Sequence, residues 1–300
     1  MTGMSTAWAM KNGAKAAGDL LGPLEKIGLE ALELDFRVTG RILKELMPKL
    51  KAKNPCVLSL HNFCPVPDIL PPEKASGDAF NLASDDPEER REAVRWTIRT
   101  LEVASELEAQ VVVLHLGFIP QMKPIPHDLY RKGELTEDAL ADFLKERSRK
   151  AQRYLDCLLR SLEPVLKRAE ALGVRVGIEN RYYLHEFPLA DEIGLILGEF
   201  RGAPLGYWHD TGHAHVLERL GVIGHRELLE RYRADLLGVH LHDARGLDDH
   251  KPPGKGEVDF QMVRELLPQR AIRILEIHPP ATEGEIREAL EFLREKGLHR

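Results

Sequence analysis

The chain has 300 residues, 43% of them hydrophobic and 30% charged, with a formal net charge of −6. That size suits one closed α/β barrel, and the charge balance excludes a broadly basic nucleic-acid footprint. No run approaches the roughly twenty apolar residues needed to span a bilayer, and the N-terminal MTGMSTAWAMKNGAKAAG lacks the apolar core of a signal peptide. Cys56, Cys64 and Cys157 stand in no C-x-x-C spacing and read as reduced thiols. The expectation is one domain over residues 1–300, cytoplasmic, without membrane or nucleic-acid partner.

Taken in chain order, Gly3–Trp8, Ala31–Phe36 and Cys56–Phe63 are predicted as strands, with Gly28 capping the helical run between the first two. Asp85-Asp86-Pro87 opens a helix whose Val94, Ile98, Leu101 and Ala104 share one stripe as far as Leu107. Val111–Gly117 is the fourth strand. Thr136-Glu137-Asp138 starts the next helical segment, and Tyr154–Leu172 carries Leu155, Leu158, Leu162, Val165, Leu166 and Ala169 on one face before Gly173. Val174–Asn180, Leu205–Asp210, Leu236–Asp243 and Ile272–His278 complete the strands, and Gly297 follows the last helical run.

Eight strands alternating with helices imply parallel pairing through right-handed crossovers. That count closes a (β/α)₈ TIM barrel. A doubly wound sheet would want a Gly-rich turn after the first strand, and MSTAWAMKNG has none. Two connections, Cys64–Ser84 and Phe118–Glu134, are long, contain prolines and leave the C-terminal ends of strands, as lids or substrate walls do.

Alternate residues of a barrel strand point inward. By that count His61 follows Val57 and Ser59, His115 follows Val111 and Val113, and Glu179 follows Gly177. Asp210 follows Gly206 and Trp208, His240 shares its face with His242, and Glu276 and His278 continue Ile272 and Ile274. Leu237, Val239 and Leu241 face the helices, and His209 has the wrong parity. Any one of these histidines alone reads as a hydrogen-bonded core residue; the set converges on the C-terminal mouth, where barrel enzymes keep their chemistry. So many buried acids and imidazoles need a compensating cation. Mixed imidazole and carboxylate donors suit Mn, Zn, Co or Fe. Two loop segments add candidate ligands: His213, one short turn beyond Asp210, and Asp248-x-His250.

The segments GVRVGIEN, WHDTGHAH, GVHLHDARG with DDHKPPGKGEVDF, and RILEIHP, in this order, resemble the xylose isomerase-like TIM barrels. That superfamily holds sugar and sugar-phosphate isomerases and epimerases and also endonuclease IV. The resemblance runs from MSTAW to ILEIHP and implies a shared metal site at Glu179, Asp210, His240 and Glu276. Members with more metals are resembled through His61 and His115, and through His213, Asp248 and His250, so one to three divalent ions are implied. Asn180-Arg181-Tyr182-Tyr183 and LHNFCPVP depart from the corresponding runs of endonuclease IV, which places the sugar branch closer.

The function expected first is therefore a metal-dependent sugar or sugar-phosphate isomerase or epimerase. Glu179 and Glu276 would remove and return the proton as base and acid, His213 would complete the catalytic set by binding a substrate oxygen, and a small carbohydrate would be held by Arg245, Trp208, His242 and Lys255. Lys251 or Lys255 would meet a phosphate, and Trp8, Phe36, Phe63, Trp208 and Tyr182 are candidates for an aromatic wall. The alternatives are a multinuclear-metal phosphoester hydrolase, or a metal-binding barrel without catalysis. No basic cluster with interleaved aromatics supports duplex binding, and the oligomeric state is open.

Overall fold

A computed structural model describes residues 1–299. The strands are β1 (Thr2–Ser5), β2 (Ala31–Leu34), β3 (Cys56–His61), β4 (Val111–Leu114), β5 (Arg175–Glu179), β6 (Leu205–Asp210), β7 (Leu236–Leu241), β8 (Asp243–Arg245), β9 (Asp248–Lys251) and β10 (Ile272–Leu275). Eight of them close a parallel barrel in the order β1-β10-β7-β6-β5-β4-β3-β2, and β8 and β9 form a separate antiparallel pair beyond β7. Around the barrel run α1 (Ala7–Lys11), α2 (Ala17–Ile27), α3 (Gly40–Lys51), α4 (Pro87–Glu106), α5 (Ile125–Lys132) and α6 (Glu137–Leu172). They continue with α7 (Ala190–Glu199), α8 (Thr211–Arg219), α9 (His225–Tyr232), α10 (Phe260–Leu266) and α11 (Glu283–Glu295). Among the described residues no helix is long and apolar enough to cross a membrane.

Each predicted strand is present, but most stop short of the predicted C-terminal end. Trp8 lies in α1, and Phe36, Phe63, Gly117 and His278 lie past their strands, because the chain bends away from the ladder at the mouth. The predicted helix starts hold: Asp86 and Thr136 accept hydrogen bonds from Glu88 N and Ala139 N. The connection 118–134 is not a bare loop, since it contains α5; residues 64–84 carry only a short 3₁₀ turn at Pro72–Lys74.

The inward count needs two corrections. Between β2 and β3 the pairing steps from Leu32↔Val57 to Glu33↔Ser59, so Leu58 is an extra residue, and Val57 joins the outer core instead of the interior. Between β6 and β7 it steps from Tyr207↔Leu236 to Trp208↔Gly238, and the extra Leu237 packs on the interior cluster. A bulge inserts one residue and switches parity on one side of itself. Past each bulge the original count resumes, so His61 and His240 still point inward.

The barrel interior is filled by Val111, Val113, Trp208, Ile272 and Ile274. Trp208 is wholly buried and lies under the mouth with its ring 5.2 Å from that of His240. It fits because β7 offers Gly238 opposite it: a Cβ there would come within 2.3 Å of the indole. The expected outcome of Gly238→Ala is therefore a loss of about 1–3 kcal/mol from overpacking, read as a lower denaturation midpoint. An unshifted midpoint would mean that the indole is not wedged against β7.

Candidate metal centre

Four histidines at the mouth are each anchored through one ring nitrogen. His240 Nε2 lies 3.1 Å from Glu33 Oε2, His115 Nδ1 2.8 Å from Asp78 Oδ2, His61 Nδ1 3.0 Å from the Asn62 carbonyl, and His213 Nδ1 3.0 Å from the Asn180 carbonyl. Each of these partners is an acceptor, so the anchoring nitrogen carries the proton. In the neutral ring the other nitrogen then presents a lone pair.

Those lone pairs face carboxylates. His240 Nδ1 is 2.8 Å from Glu179 Oε1, 3.0 Å from Glu276 Oε2 and 3.7 Å from Asp210 Oδ2. The Nε2 atoms of His61 and His115 lie 3.4 and 3.2 Å from Glu179 Oε2, which has no hydrogen-bond partner. His213 Nε2 faces Asp249 Oδ2 at 3.6 Å. Lone pair against anion is repulsive unless a proton or a metal ion lies between. The four donor atoms of Glu179, Asp210, His240 and Glu276 lie within 4.8 Å of one another, as do those of His61, His115 and Glu179. The residues present fit divalent cations, and Glu179 belongs to both groups.

Without a metal, protons take that place. Burial and the Arg181 charge push the His115 imidazolium down, but Asp78 and Glu179 outweigh them and lift it to about 9. Burial pushes the Glu179 carboxyl up, yet His240, His115 and His61 together hold it well below the usual carboxylate range. Glu276 goes the other way: burial raises it, and Glu179 and Glu33 add repulsion that His240 only partly offsets.

The chain brings most of the predicted residues together. Asp210 ends β6 and caps α8, its Oδ1 accepting from His213 N at 2.6 Å. Asn180 ties two of the pieces, since its side chain bonds both N and O of Asp210 while its carbonyl holds His213. His250 Nδ1 lies 3.1 Å from Asp249 Oδ2, and its ring stacks between those of His242 and His278.

Several predicted residues lie elsewhere. Asp248 is exposed and paired with Lys251; the left-handed backbone at His250 (φ 54°) breaks the strand alternation, and Asp249 turns in instead. Trp208 forms the floor beneath the centre and is closed to a substrate. His242 is also wholly buried, and both its nitrogens are taken, Nε2 by Asp210 Oδ2 at 2.8 Å and Nδ1 by His250 N at 2.9 Å. It orients Asp210 and has no free edge for a substrate. Lys255 is exposed and paired with Glu288, and Arg245 bonds the Lys255 carbonyl. Both line an outer cavity next to the centre. Phe36 and Tyr182 do line the inner cavity, whereas Phe63 is core, packed on Phe80, and Trp8 bonds Ala281 O from α1.

The sequence reading missed Glu33, Asp78, Arg181 and Asp249. Glu33 had a signal, being inward on β2, but no partner within its own segment. Asp78 had none, because it reaches His115 and Arg181 (2.9 Å) from the long loop after β3.

The chain matches the family described as Xylose isomerase-like TIM barrel over residues 22–296. It belongs to that family. An uncharacterized protein of Methanocaldococcus jannaschii, MJ1311, is 27% identical over 193 residues, which is 63% of this chain and 56% of that protein. Thus the match spans little more than half the length of that relative. Among solved structures, D-psicose 3-epimerase with D-tagatose from Clostridium cellulolyticum superposes with a TM-score of 0.71 at 15% identity, covering 100% of this chain and 99% of that one. The TTHB071 protein from Thermus thermophilus, soaked with ZnCl2, gives 0.63 at 22% identity, covering 100% and 99%. These likenesses carry the fold; the donor geometry above is the chain's own.

Two outcomes follow for metal binding. Because the carboxylates around His240, and Asp78 and Glu179 beside His115, make both imidazoles hold a proton that an entering metal must displace, apparent affinity should rise with pH. Calorimetry in buffers of different ionisation enthalpy reads the released proton, and pH-independent binding would contradict it. Glu33→Gln removes the charged partner of His240 Nε2 and should weaken metal affinity roughly 10–100-fold.

Proposed function

We propose that this chain is a divalent-metal-dependent isomerase or epimerase acting on a small carbohydrate. The observation that carries this reading is the pair Glu179 and Glu276. They come from strands separated by two others, meet at one imidazole nitrogen within 3.0 Å, and line one cavity of about 210 Å³. That volume is below the roughly 300–1,000 Å³ of pockets for drug-sized ligands, as befits a small polar substrate.

Glu179, Asp210, His240 and Glu276 would hold the ion, of the Mn, Zn, Co or Fe kind that accepts mixed donors. Bound there, it would polarise a carbonyl or hydroxyl and make the adjacent C–H acidic. Glu179, held ionised by its imidazole neighbours, is suited to take the proton, and Glu276, pushed up by burial, to return it. His213, beside Glu179 and lining the same cavity, is placed to hold a substrate oxygen. Phe36, Tyr182 and Tyr183 give the cavity an aromatic wall that keeps water from the exchanged proton. Arg245 and Lys255, in the outer cavity, are placed for the far end of a longer substrate.

A second reading has its own observation. Glu179 Oε2 beside His61 and His115, together with His213, Asp249 and His250, offers donors for a second and third ion. Such a set suits a multinuclear phosphoester hydrolase.

Two measurements separate the readings. Metal content after purification without chelator should be near one ion per chain for the isomerase or epimerase, and two or three for the hydrolase. In D2O, the enzyme with a ketose panel should place solvent deuterium on carbon, and Glu179→Gln or Glu276→Gln should cut that exchange by roughly 10²–10⁴. Exchange that survives both substitutions would end the proton-transfer reading.

A further inference from the structure

Two buried histidines, His209 and His225, take no part in the site described above. His209 stands on β6 next to Asp210 but on the outward face, which it shares with Tyr207; His225 opens α9. The outward residues of the flanking strands, Val176 and Ile178 on β5 and Val239 and Leu241 on β7, are apolar members of the outer core. A tyrosine and a histidine in that layer cost desolvation unless their polar atoms are bonded.

They are bonded in one continuous line. Tyr207 Oη lies 2.8 Å from Asn180 Oδ1, His209 Nδ1 2.8 Å from Tyr207 Oη, and His225 Nε2 2.9 Å from His209 Nε2. Tyr207, His209 and Asn180 are at most 1% exposed and His225 3%. The proton positions follow from the Asn180 end. Its Nδ2 donates to the Asp210 carbonyl and its Oδ1 accepts from Asp210 N at 2.8 Å, so the amide stands only one way round. Oδ1 has no proton to give, and the Tyr207 hydroxyl must donate to it. The hydroxyl oxygen then accepts from His209 Nδ1–H. Burial holds both imidazoles below the ordinary histidine pKa, which leaves neutral rings. His209 Nε2 therefore carries a lone pair, and His225 Nε2–H donates to it. Every donor in the line points toward Asn180.

Such a line is no proton path to the centre, because the amide at its end has no basic nitrogen to receive a proton and pass it on. What it does is fix the amide. Tyr207 gives Oδ1 its second donor, so the plane of the Asn180 side chain is held by the hydroxyl on one side and by the Asp210 backbone on the other. The same residue follows Glu179 directly and holds His213 Nδ1 with its carbonyl at 3.0 Å.

We infer that His209 is a positioning residue for the metal centre: braced by His225, it orients the Tyr207 hydroxyl that locks Asn180, and Asn180 in turn sets Glu179, Asp210 and His213 relative to one another. This rests on the reading of those side chains as holders of a divalent ion and is independent of the reaction assigned to them. Partners that orient ligands from outside act on ion affinity and on the geometry of the donors.

The test uses the full chain with Co²⁺, whose visible absorption reports the arrangement of its ligands. The Co²⁺ dissociation constant, the spectrum of the loaded protein and the denaturation midpoint of the metal-free chain are measured for the wild type, His209→Phe, His209→Asn and Tyr207→Phe. His209→Phe and Tyr207→Phe should each weaken Co²⁺ binding roughly 10-fold, the lower end of what the loss of an orienting partner costs, and alter the spectrum. His209→Asn places an amide N–H where Nδ1–H stands and should restore both. A purely packing role would move the midpoint of the metal-free chain and leave the spectrum of the loaded one as it is. If His209→Phe does not fold, Tyr207→Phe, which removes only the hydroxyl, decides the matter. Unchanged affinity and spectrum in the variants, or an Asn variant no better than Phe, overturns the positioning role while the wild type still binds its ion. A wild type that takes up no Co²⁺ ends the metal reading, and the inference with it.

Discussion

His240 is the point on which the rest of the mouth depends. Its Nε2 is fastened to Glu33 from inside the barrel, and its Nδ1 is surrounded by Glu179, Asp210 and Glu276. Four carboxylates around one imidazole, all buried, form an arrangement that folding alone would avoid, because the desolvation of each charge is unfavourable and their mutual repulsion adds to it. Each of these four pairs with imidazoles. A centre built this way is stabilised by whatever cation enters it, and the protein contributes by holding the donors apart and correctly protonated until one does.

The scaffold beneath is arranged to hold that geometry. Trp208 fills the space between Gly177 and Gly238, so the ring of His240 rests on a rigid floor. Asn180 couples the end of β5 to the end of β6 through its amide, and one residue thereby sets the spacing of Glu179, Asp210 and His213. On the other side, Asp78 descends from the loop after β3 to fix His115, and is itself gripped by Arg181. Gly77 lies so close to the His115 ring that a Cβ would approach to 2.6 Å, which seals this half of the centre under the loop. The chemistry of the mouth is thus tied to loops as firmly as to strands.

Much of the site was legible because a period of two is all that an inward-facing residue needs. Glu179, Asp210, His240 and Glu276 end runs of alternating character, and a reader who counts by twos reaches them without coordinates. The same counting misplaced Val57 and Leu237, where one extra residue shifts the parity over a short stretch. The loop pattern Asp248-x-His250 offered Asp248 and left Asp249 out, whereas in the folded chain Asp248 is exposed and Asp249 Oδ2 meets His250 and His213.

The sequence alone determined the eight-strand barrel, its parallel order and the identity of the donors on strand ends, since hydrophobic period and segment length are local properties that survive folding. Only the tertiary structure decided which nitrogen of each histidine carries the proton, that Glu33 stands under His240, and that Asp78 reaches His115 across 37 positions. It also decided that Lys11, Arg37 and His278 meet at one edge of the mouth, although they are drawn from the two ends of the chain. The reason is closure: β10 pairs with β1, and loops remote in sequence become neighbours only when the last strand meets the first.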